Sequence, residues 1–373
     1  MHATKRALLI ACGLAAAAML PLSANADNAA WPTKPIRLLV GFPGGSTPDI
    51  AARTIAEPLA KALGQPVVVD NKAGASGNIA ADQVAKANDD HTLGIVINGN
   101  LTSSKMLYPK LPYDPVKDFT YLSLIATAPL VLVAQNNLPS GTAFFDEGRK
   151  AGDKWNYGSV GIGSVGHLGM ELLKTRVPGF KPEHVPYQGN PQVITAMLGD
   201  QVQMGLIPPG VAMPQIKAGK LKAIGLTGGR SALVPEIPPL SDAGVKDFNL
   251  EVWVALLGPA NLSKVAQARI SRELEAIMKN PDVRRKLFEQ GWQAVGTSPD
   301  GMRTRVNEEA AIMTKIISAR GIKLQLAHPQ APRTACRSAD PLAGRDTDGP
   351  AKPDPRRLPN RHPWTYLNDF HIA

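Results

Sequence analysis

Cysteine is nearly absent from this sequence, which has two in 373 residues. Cys12 lies in an N-terminal segment that we expect to be removed, and Cys336 lies in an atypical C-terminal region. Residues 27–325 contain none, so they can form no disulfide and carry out no thiolate chemistry. A chain of this kind depends on its hydrophobic core for stability, which suits an exported bacterial-type domain.

Other signals are missing as well. The sequence has no H-E-x-x-H motif and no cluster of cysteines, so we predict no metal and no cofactor. After the N-terminal segment no apolar run reaches 18 residues, so the processed chain is not expected to span a membrane. The formal net charge of +10 is dispersed and is not gathered into a basic stripe with interleaved aromatic residues, which argues against nucleic acid as a partner.

The N-terminus has the pattern of a secretory signal peptide. Lys5 and Arg6 precede an apolar run that extends to about residue 22, and an A-x-A site ends at Ala26. This pattern predicts a signal peptide over residues 1–26 and export to the periplasm. Lipoprotein processing at Cys12 is the alternative, but it would leave a very short apolar segment.

Residues 326–373 differ in composition from the rest of the chain. They contain eight prolines in 48 residues, scattered charges and no helical or strand periodicity. Such a segment buries too little apolar surface to offset the entropy of ordering it, so we predict disorder. The abrupt change after Gln325 favours a non-native extension, such as translation in a shifted frame, over a partner-binding tail.

The remaining residues alternate strand and helix patterns. The apolar run at 35–42 predicts a buried parallel strand, which a glycine turn and a helix follow. A strand at 66–71, a glycine turn and another helix repeat the unit. These repeats predict an α/β protein with ligands bound outside the carboxyl ends of its strands. About 300 residues exceed one ordinary core, so we expect two lobes, with hinges near 128–131 and 252–256.

A third glycine turn, Gly161 to Gly166, reads G-x-G-x-x-G and precedes a helix. A dinucleotide site would need an acidic residue after the next strand, but Glu183 comes before that strand. A serine hydrolase would need a G-x-S-x-G elbow, which Ser164 lacks, although His167 is near enough in sequence to approach it. The three turns together instead predict one anion site, in which main-chain amides at helix N-termini are the donors.

Several longer motifs occur in order along the chain. They are WPTKPIRLLVGFPGGSTPDIAARTIAEPLAKALGQPVVVDNKAGASGNIAADQVAKA at 31–87, LPYDPVKDF at 111–119, NYGSVGIGSVGHLGMELL at 156–173, HVPYQGNPQVITAMLGDQVQM at 184–204, IKAGKLKAIGLTGGRS at 216–231 and GIKLQ at 321–325. Together they resemble the substrate-binding receptors of tripartite tricarboxylate transporters, the TctC or Bug family. The resemblance covers residues 31–325.

The resemblance implies a type II periplasmic binding protein, in which two α/β lobes joined by a two-crossing hinge close on a ligand. It implies a monomer that binds a small organic acid, either a di- or tricarboxylate or an aromatic carboxylate, and serves the membrane components of such a transporter. The lobes implied are 27–130 with 255–325, and 131–254. The chain then has no catalytic residues. An exported ester hydrolase using Ser164 and His167, and a receptor feeding a signalling partner, remain alternatives.

The same resemblance implies the ligand contacts. They are Phe42, Pro43, Gly44, Gly45, Ser46, Thr47 and Asp49 in the first turn, Ala75, Ser76, Gly77 and Asn78 in the second, and Gly161, Gly163, Ser164, His167 and Ile207 in the second lobe. Asp49 is expected mainly to cap its helix and shape the turn. Ile207, where many members carry Asp or Ala, predicts an apolar, uncharged cleft wall.

Overall fold

The computed structural model describes residues 31–322, which form two mixed β-sheets with helices packed on them. The predicted signal peptide, the alternative lipid site at Cys12 and the C-terminal tail lie outside the described residues. We refer to each sheet with its helices as a lobe. The alternation of strands and helices agrees with the α/β class predicted from the sequence.

The first sheet has six strands in the order β11-β4-β10-β3-β1-β2. Strand β1 is an interior strand that pairs in parallel with β2 and β3, whereas β10 runs antiparallel to β3 and β4. The apolar sequence of β1 fits a parallel strand that is covered on both faces. The strands are β1 (Ile36–Val40), β2 (Val67–Asn71), β3 (Thr92–Ile97), β4 (Phe119–Pro129), β10 (Glu251–Pro259) and β11 (Gln293–Ala294).

The second sheet has five strands in the order β7-β6-β8-β5-β9. Strand β6 is parallel to β7 and β8, and β5 is antiparallel to β8 and β9. The strands are β5 (Val131–Gln135), β6 (Asn156–Ser159), β7 (Glu183–Pro186), β8 (Met204–Ile207) and β9 (Leu221–Leu226).

Helices follow most strands. In chain order they are α1 (Thr47–Leu63), α2 (Asn78–Ala85), α3 (Asn98–Leu101), α4 (Ser104–Leu107), α5 (Thr142–Ala151), α6 (Val165–Arg176), α7 (Asn190–Leu198), α8 (Pro209–Lys217), α9 (Lys264–Lys279), α10 (Pro281–Glu289) and α11 (Pro299–Arg320). The last helix, α11, packs on β4 of the first lobe and on α6 of the second. None of the helices within residues 31–322 is long and apolar enough to cross a bilayer.

The chain crosses between the sheets twice, and Thr227 joins the two crossings. The first crossing is at Leu130, between β4 and β5. Thr227 N donates to Leu130 O and Thr227 Oγ1 accepts from Leu130 N, both at 2.8 Å, while Thr227 Oγ1 donates to Leu250 O at 2.7 Å. Because β10 already pairs with β4 at Glu251, the chain returns to the first sheet before Glu251. The boundary expected from the sequence lies slightly later, after residue 254.

Helix α11 is anchored by a buried carboxylate, Glu309. Its oxygens accept hydrogen bonds from Asn98 Nδ2 and Trp253 Nε1. Burial raises the pKa of Glu309, although these hydrogen bonds and the nearby Arg305 oppose that shift.

Replacing Glu309 with alanine should lower the free energy of unfolding by about 2 to 3 kcal/mol, because the buried Trp253 Nε1 loses its acceptor. Urea titration monitored by tryptophan fluorescence measures this loss. The adjacent Glu308 is exposed, so Glu308→Ala should change stability by less than about 0.5 kcal/mol. Equal losses in the two variants would contradict the anchoring role of Glu309.

Candidate functional site

Loop L1, residues 41–46, connects β1 to α1 and is held by Asp49. The carboxylate accepts hydrogen bonds from Gly45 N at 2.9 Å, Asn71 Nδ2 at 2.9 Å and Arg53 Nε at 3.0 Å. Burial alone would raise the pKa of Asp49, but hydrogen bonds from Arg53, Asn71 and Gly45 outweigh it, and the pKa is lowered. Asp49 therefore stays ionised, and its hydrogen bond from Gly45 N fixes the conformation of L1.

Loop L2, residues 72–77, connects β2 to α2 and packs directly on L1. A Cβ atom on Gly41 would lie 2.4 Å from Gly77 Cα, so only glycine allows this backbone approach. Residues 74–77 all have positive φ angles, including the non-glycine residues Ala75 at 47° and Ser76 at 55°. Such conformations cost free energy and tend to occur at functional sites.

Loop L3, residues 160–164, connects β6 to α6 in the second lobe. Ser164 Oγ accepts from His167 N at 3.3 Å, which caps α6, and donates to Gly161 O at 2.7 Å. Gly163 N donates to His167 Nδ1 at 3.2 Å, and Gly161 N donates to Ser159 Oγ at 3.2 Å. The amides of Gly161 and Gly163 and the Ser164 hydroxyl are thus satisfied within the second lobe.

The sequence predicts that main-chain amides at these helix N-termini are the anion donors. In the structure three of the loop amides, those of Gly45, Gly161 and Gly163, donate to Asp49, Ser159 and His167. The reason is local, since each loop is followed or preceded by a polar side chain that folds back on it.

Two buried side-chain donors carry unused hydrogen-bonding capacity. Ser46 Oγ and Asn78 Nδ2 have no hydrogen-bond partner among residues 31–322. The orientation of Asn78 is fixed, because its Oδ1 accepts from Asn100 Nδ2, Ser104 Oγ and Tyr113 OH at 2.7 to 3.0 Å. A buried donor without a partner costs free energy that a ligand acceptor can recover.

The loops of the two lobes contact each other. Ser76 Oγ of L2 and Tyr108 OH lie 3.1 and 3.2 Å from Ile162 O of L3, and Ser103 Oγ donates to Gly163 O at 2.6 Å. On the other side of L1, Asn190 Nδ2 of the second lobe donates to Thr47 Oγ1 at 3.1 Å. The structure therefore shows the lobes closed on each other around L1, L2 and L3.

A second close contact between the lobes involves backbone atoms only. Gly210 opens α8 in the second lobe, and Gln290 follows α10 in the first. A Cβ atom on Gly210 would lie 1.9 Å from Gln290 O, and one on Gly291 would lie 2.4 Å from Gly210 N. This contact requires glycine at both positions, Gly210 in the second lobe and Gly291 in the first.

A cleft of about 450 Å³ lies between L2 and L3. It is lined by Gly74, Ala75, Ser76, Tyr108, Gly161, Ile162, Pro186, Tyr187, Gln188 and Gln192. Tyr108, Tyr187, Gln188 and Gln192 are not among the contacts expected from the sequence. The last three could have been predicted from their position in the sequence. They follow β7, and ligands in such folds bind beyond the carboxyl ends of parallel strands.

The predicted contacts separate into two groups. Those of L1, L2 and L3 come together at the lobe boundary, as do Thr47 and Asn78 at the starts of α1 and α2. Ile207 does not, because it is fully buried in a hydrophobic cluster with Val131 and Val193 inside the second lobe. His167 lies behind L3 and packs against Tyr157 and His184 instead of facing the cleft.

The geometry of Ser164 and His167 does not match a hydrolase. The Ser164 hydroxyl donates to Gly161 O, and His167 Nδ1 accepts from Gly163 N. Within residues 31–322 no hydrogen bond joins the Ser164 hydroxyl to the imidazole, and no group of three or more His, Cys, Asp or Glu side chains is placed to hold a metal ion.

Comparisons with known proteins agree with this architecture. The family model described as "Tripartite tricarboxylate transporter family receptor" matches residues 51–322. A UPF0065 protein from the tcbD-tcbE intergenic region of Pseudomonas sp. strain P51 is 32% identical over 293 residues, which are 77% of this chain and 87% of that protein.

Two solved structures from Rhodopseudomonas palustris are also similar. Rpa4515 with adipate is 30% identical with a TM-score of 0.76, covering 79% of this chain and all of that one. MatC with bound malate is 30% identical with a TM-score of 0.71, covering 77% of this chain and all of that one. These similarities confirm the predicted fold class and family. The chain belongs to the tripartite tricarboxylate transporter receptor family, TctC.

Proposed function

We propose that this protein is a periplasmic receptor that captures a small organic carboxylate between its two lobes and presents it to the membrane components of a tripartite tricarboxylate transporter. The main support is the meeting of L2 and L3, one from each lobe, at one cleft, with L1 packed directly on L2. Family membership and the adipate and malate of the two similar structures support the carboxylate class. We assign it no catalytic step.

Neutral donors hold the carboxylate. None of the residues that line the cleft within the described chain is Lys, Arg or His. Ser46 Oγ and Asn78 Nδ2 do not line this cleft, but they are buried donors without a partner among residues 31–322, at the junctions of L1 with α1 and of L2 with α2. Hydrogen bonds to a charged acceptor contribute about 1.5 to 3 kcal/mol each. Two such bonds contribute about 3 to 6 kcal/mol of the roughly 8 kcal/mol that corresponds to a micromolar dissociation constant, and apolar contacts must supply the rest.

Binding favours closure because the ligand touches both lobes only in the closed state. A ligand shifts such an equilibrium only by its difference in affinity for the two states. Direct hydrogen bonds to L3 from Ser76 of L2 and from Tyr108 also favour closure, so the closed form is defined by protein contacts as well as by ligand contacts.

The class of ligand is tested by thermal denaturation of the purified protein with adipate, malate, citrate, benzoate and 4-hydroxybenzoate. An acid that binds the native state raises the melting temperature with concentration. Failure of all five acids to do so at millimolar concentration would contradict the carboxylate assignment, whereas turnover of an ester panel would favour the hydrolase.

Ser46→Ala should weaken binding of the stabilising acid by about tenfold to a hundredfold, since one hydrogen bond to a charged group is lost. Stability without ligand should change little, because Ser46 Oγ makes no hydrogen bond within residues 31–322. Isothermal titration calorimetry measures the affinity.

Ser263→Ala is the matched control. Ser263 also precedes a helix, but its Oγ accepts from Ala266 N at 3.2 Å. Its loss should lower stability by about 1 kcal/mol and leave affinity unchanged. If Ser46→Ala behaves like Ser263→Ala, Ser46 is not a ligand contact.

A further inference from the structure

Two histidine rings pack against each other directly behind L3. The ring centroids of His167, on α6, and His184, on β7, are 4.3 Å apart, and Tyr157 of β6 stacks on His184 at 4.9 Å. Tyr157 and His167 are buried, and His184 is half-buried. Within the described residues these side chains do not line the cleft, so any part they play in binding is indirect.

Each histidine is linked by hydrogen bonds, directly or through Ser159, to a different peptide N–H group of L3. His167 Nδ1 accepts directly from Gly163 N at 3.2 Å. His184 Nε2 lies 2.7 Å from Ser159 Oγ, which in turn accepts from Gly161 N at 3.2 Å. The two rings therefore reach the two glycines that give L3 its shape.

The contact at Gly163 has a direct consequence for closure. In a planar trans peptide the N–H and the C=O point in opposite directions. Gly163 N and Ile162 O belong to the same peptide group, so holding the N–H against His167 aims Ile162 O outward. Ile162 O is the atom that meets Ser76 Oγ and Tyr108 OH of the first lobe.

This arrangement requires His167 to accept at Nδ1, so its proton must be on Nε2. An imidazolium would present a donor to the Gly163 N–H and repel it. Burial lowers the pKa of His167 to about 4 and that of His184 to about 3. The charged groups facing the pair are Glu171 and Lys174 of α6, which pair with each other at 2.8 Å, and Glu171 also accepts from Tyr157 OH.

We infer that His167 and His184 are positioning residues for ligand capture: through Gly163 and Ser159 they fix the peptide groups of L3 so that its carbonyl oxygens receive the first-lobe hydroxyls on closure. This inference rests on the proposed function, because it concerns how L3 completes the closed form. It assigns L3 to the joining of the lobes rather than to direct donation to an anion.

Side-chain amides test this geometry, because the oxygen of Asn can replace Nδ1 of a histidine and that of Gln can replace Nε2. At position 167 Asn should preserve the hydrogen bond to Gly163, whereas Gln should not. At position 184 Gln should preserve the contact with Ser159, whereas Asn should not. Each variant is thus the matched control for its partner, and all four introduce a side chain of similar polarity.

Hydrogen exchange of backbone amides, followed by NMR on the full protein without ligand, is the main readout. Exchange at Gly163 should be about tenfold faster in His167→Gln than in His167→Asn, and exchange at Gly161 about tenfold faster in His184→Asn than in His184→Gln. Nitrogen NMR of the unmodified protein at pH 7 should show His167 protonated on Nε2 alone. The inference is wrong if the same substitution, Asn or Gln, gives the slower exchange at both positions, or if the proton of His167 is on Nδ1.

Binding of adipate and malate separates this inference from the proposed function. If either acid binds, His167→Gln should weaken it by about tenfold and His167→Asn by less than about threefold. If the unmodified protein binds one of them and the two variants bind equally, the positioning role is wrong and the receptor function stands. If neither acid binds but the exchange pattern holds, the ligand class is wrong and the positioning role stands.

Discussion

Replacing Gly210 with alanine should prevent the two lobes from closing while leaving each of them folded. The added Cβ would lie 1.9 Å from Gln290 O and 3.0 Å from Gln290 C, which are backbone atoms of the first lobe. Backbone atoms at the end of α10 cannot rotate away as a side chain can. Gly210 has no positive φ angle, so alanine fits the second lobe itself.

The expected effect on binding is large because the clash exists only in the closed state. Overpacking of this kind costs about 1 to 3 kcal/mol, which corresponds to a loss of affinity of roughly fivefold to 150-fold. Calorimetry with the acid selected by thermal denaturation measures the affinity. Small-angle X-ray scattering with and without that acid reports whether the radius of gyration still decreases.

Gly229→Ala is the control for this substitution. A Cβ atom on Gly229 would meet nothing within 4 Å among the described residues, and the residue has no positive φ angle. Its affinity and its ligand-induced compaction should equal those of the unmodified protein. Ligand-induced compaction with native affinity in Gly210→Ala would show that this contact is not part of the closed state that binds the ligand.

The placement of L1, L2 and L3 was predictable because it follows from a local pattern. Each loop joins a strand to a helix through glycine, and parallel strands bring such loops to one edge of a sheet. Which acceptors the amides of these loops bind was not predictable. It depends on whether Asp49, Ser159 and His167 fold back on the loops, and short-range sequence pattern does not specify a side-chain rotamer.

Other features depend on pairing between distant segments. Strand β4, the longest in the described chain, is not evident from the sequence, because FTYLSLIATAP has no clean alternation and its partner β10 lies more than 120 residues later. Residues 98–107 form two single-turn helices that are too short for a periodic signal, yet they place Ser103 against L3. The resemblance places Ile207 at the cleft, whereas its side chain points into the core of the second lobe.

The free energy of unfolding should fall between pH 6.5 and pH 4 because of His167. Its pKa is lowered from 6.5 to about 4 in the folded state, so in this interval the unfolded chain binds a proton that the folded chain does not. Stability is therefore full above pH 6.5 and is lost as the pH falls towards 4. The loss due to this residue is about 3 kcal/mol, since one pKa unit corresponds to about 1.4 kcal/mol. The pKa of His184, lowered to about 3, adds a loss of the same sign.

Urea titrations of the unmodified protein and of His167→Asn at pH 7, 6, 5 and 4 measure the effect of His167, including the part of the lowered pKa of His184 that His167 causes. Asp49 has a lowered pKa and contributes only below about pH 4, while Glu309, with a raised pKa, changes stability in the opposite direction. The pKa of His91 is also lowered by burial, but both proteins share these three groups. The difference in unfolding free energy between the two proteins should therefore shrink or reverse sign as the pH falls, because the side chain of asparagine does not titrate. A difference that stays constant from pH 7 to pH 4 would mean that His167 is protonated equally in the folded and unfolded states, and that burial behind L3 does not hold it neutral.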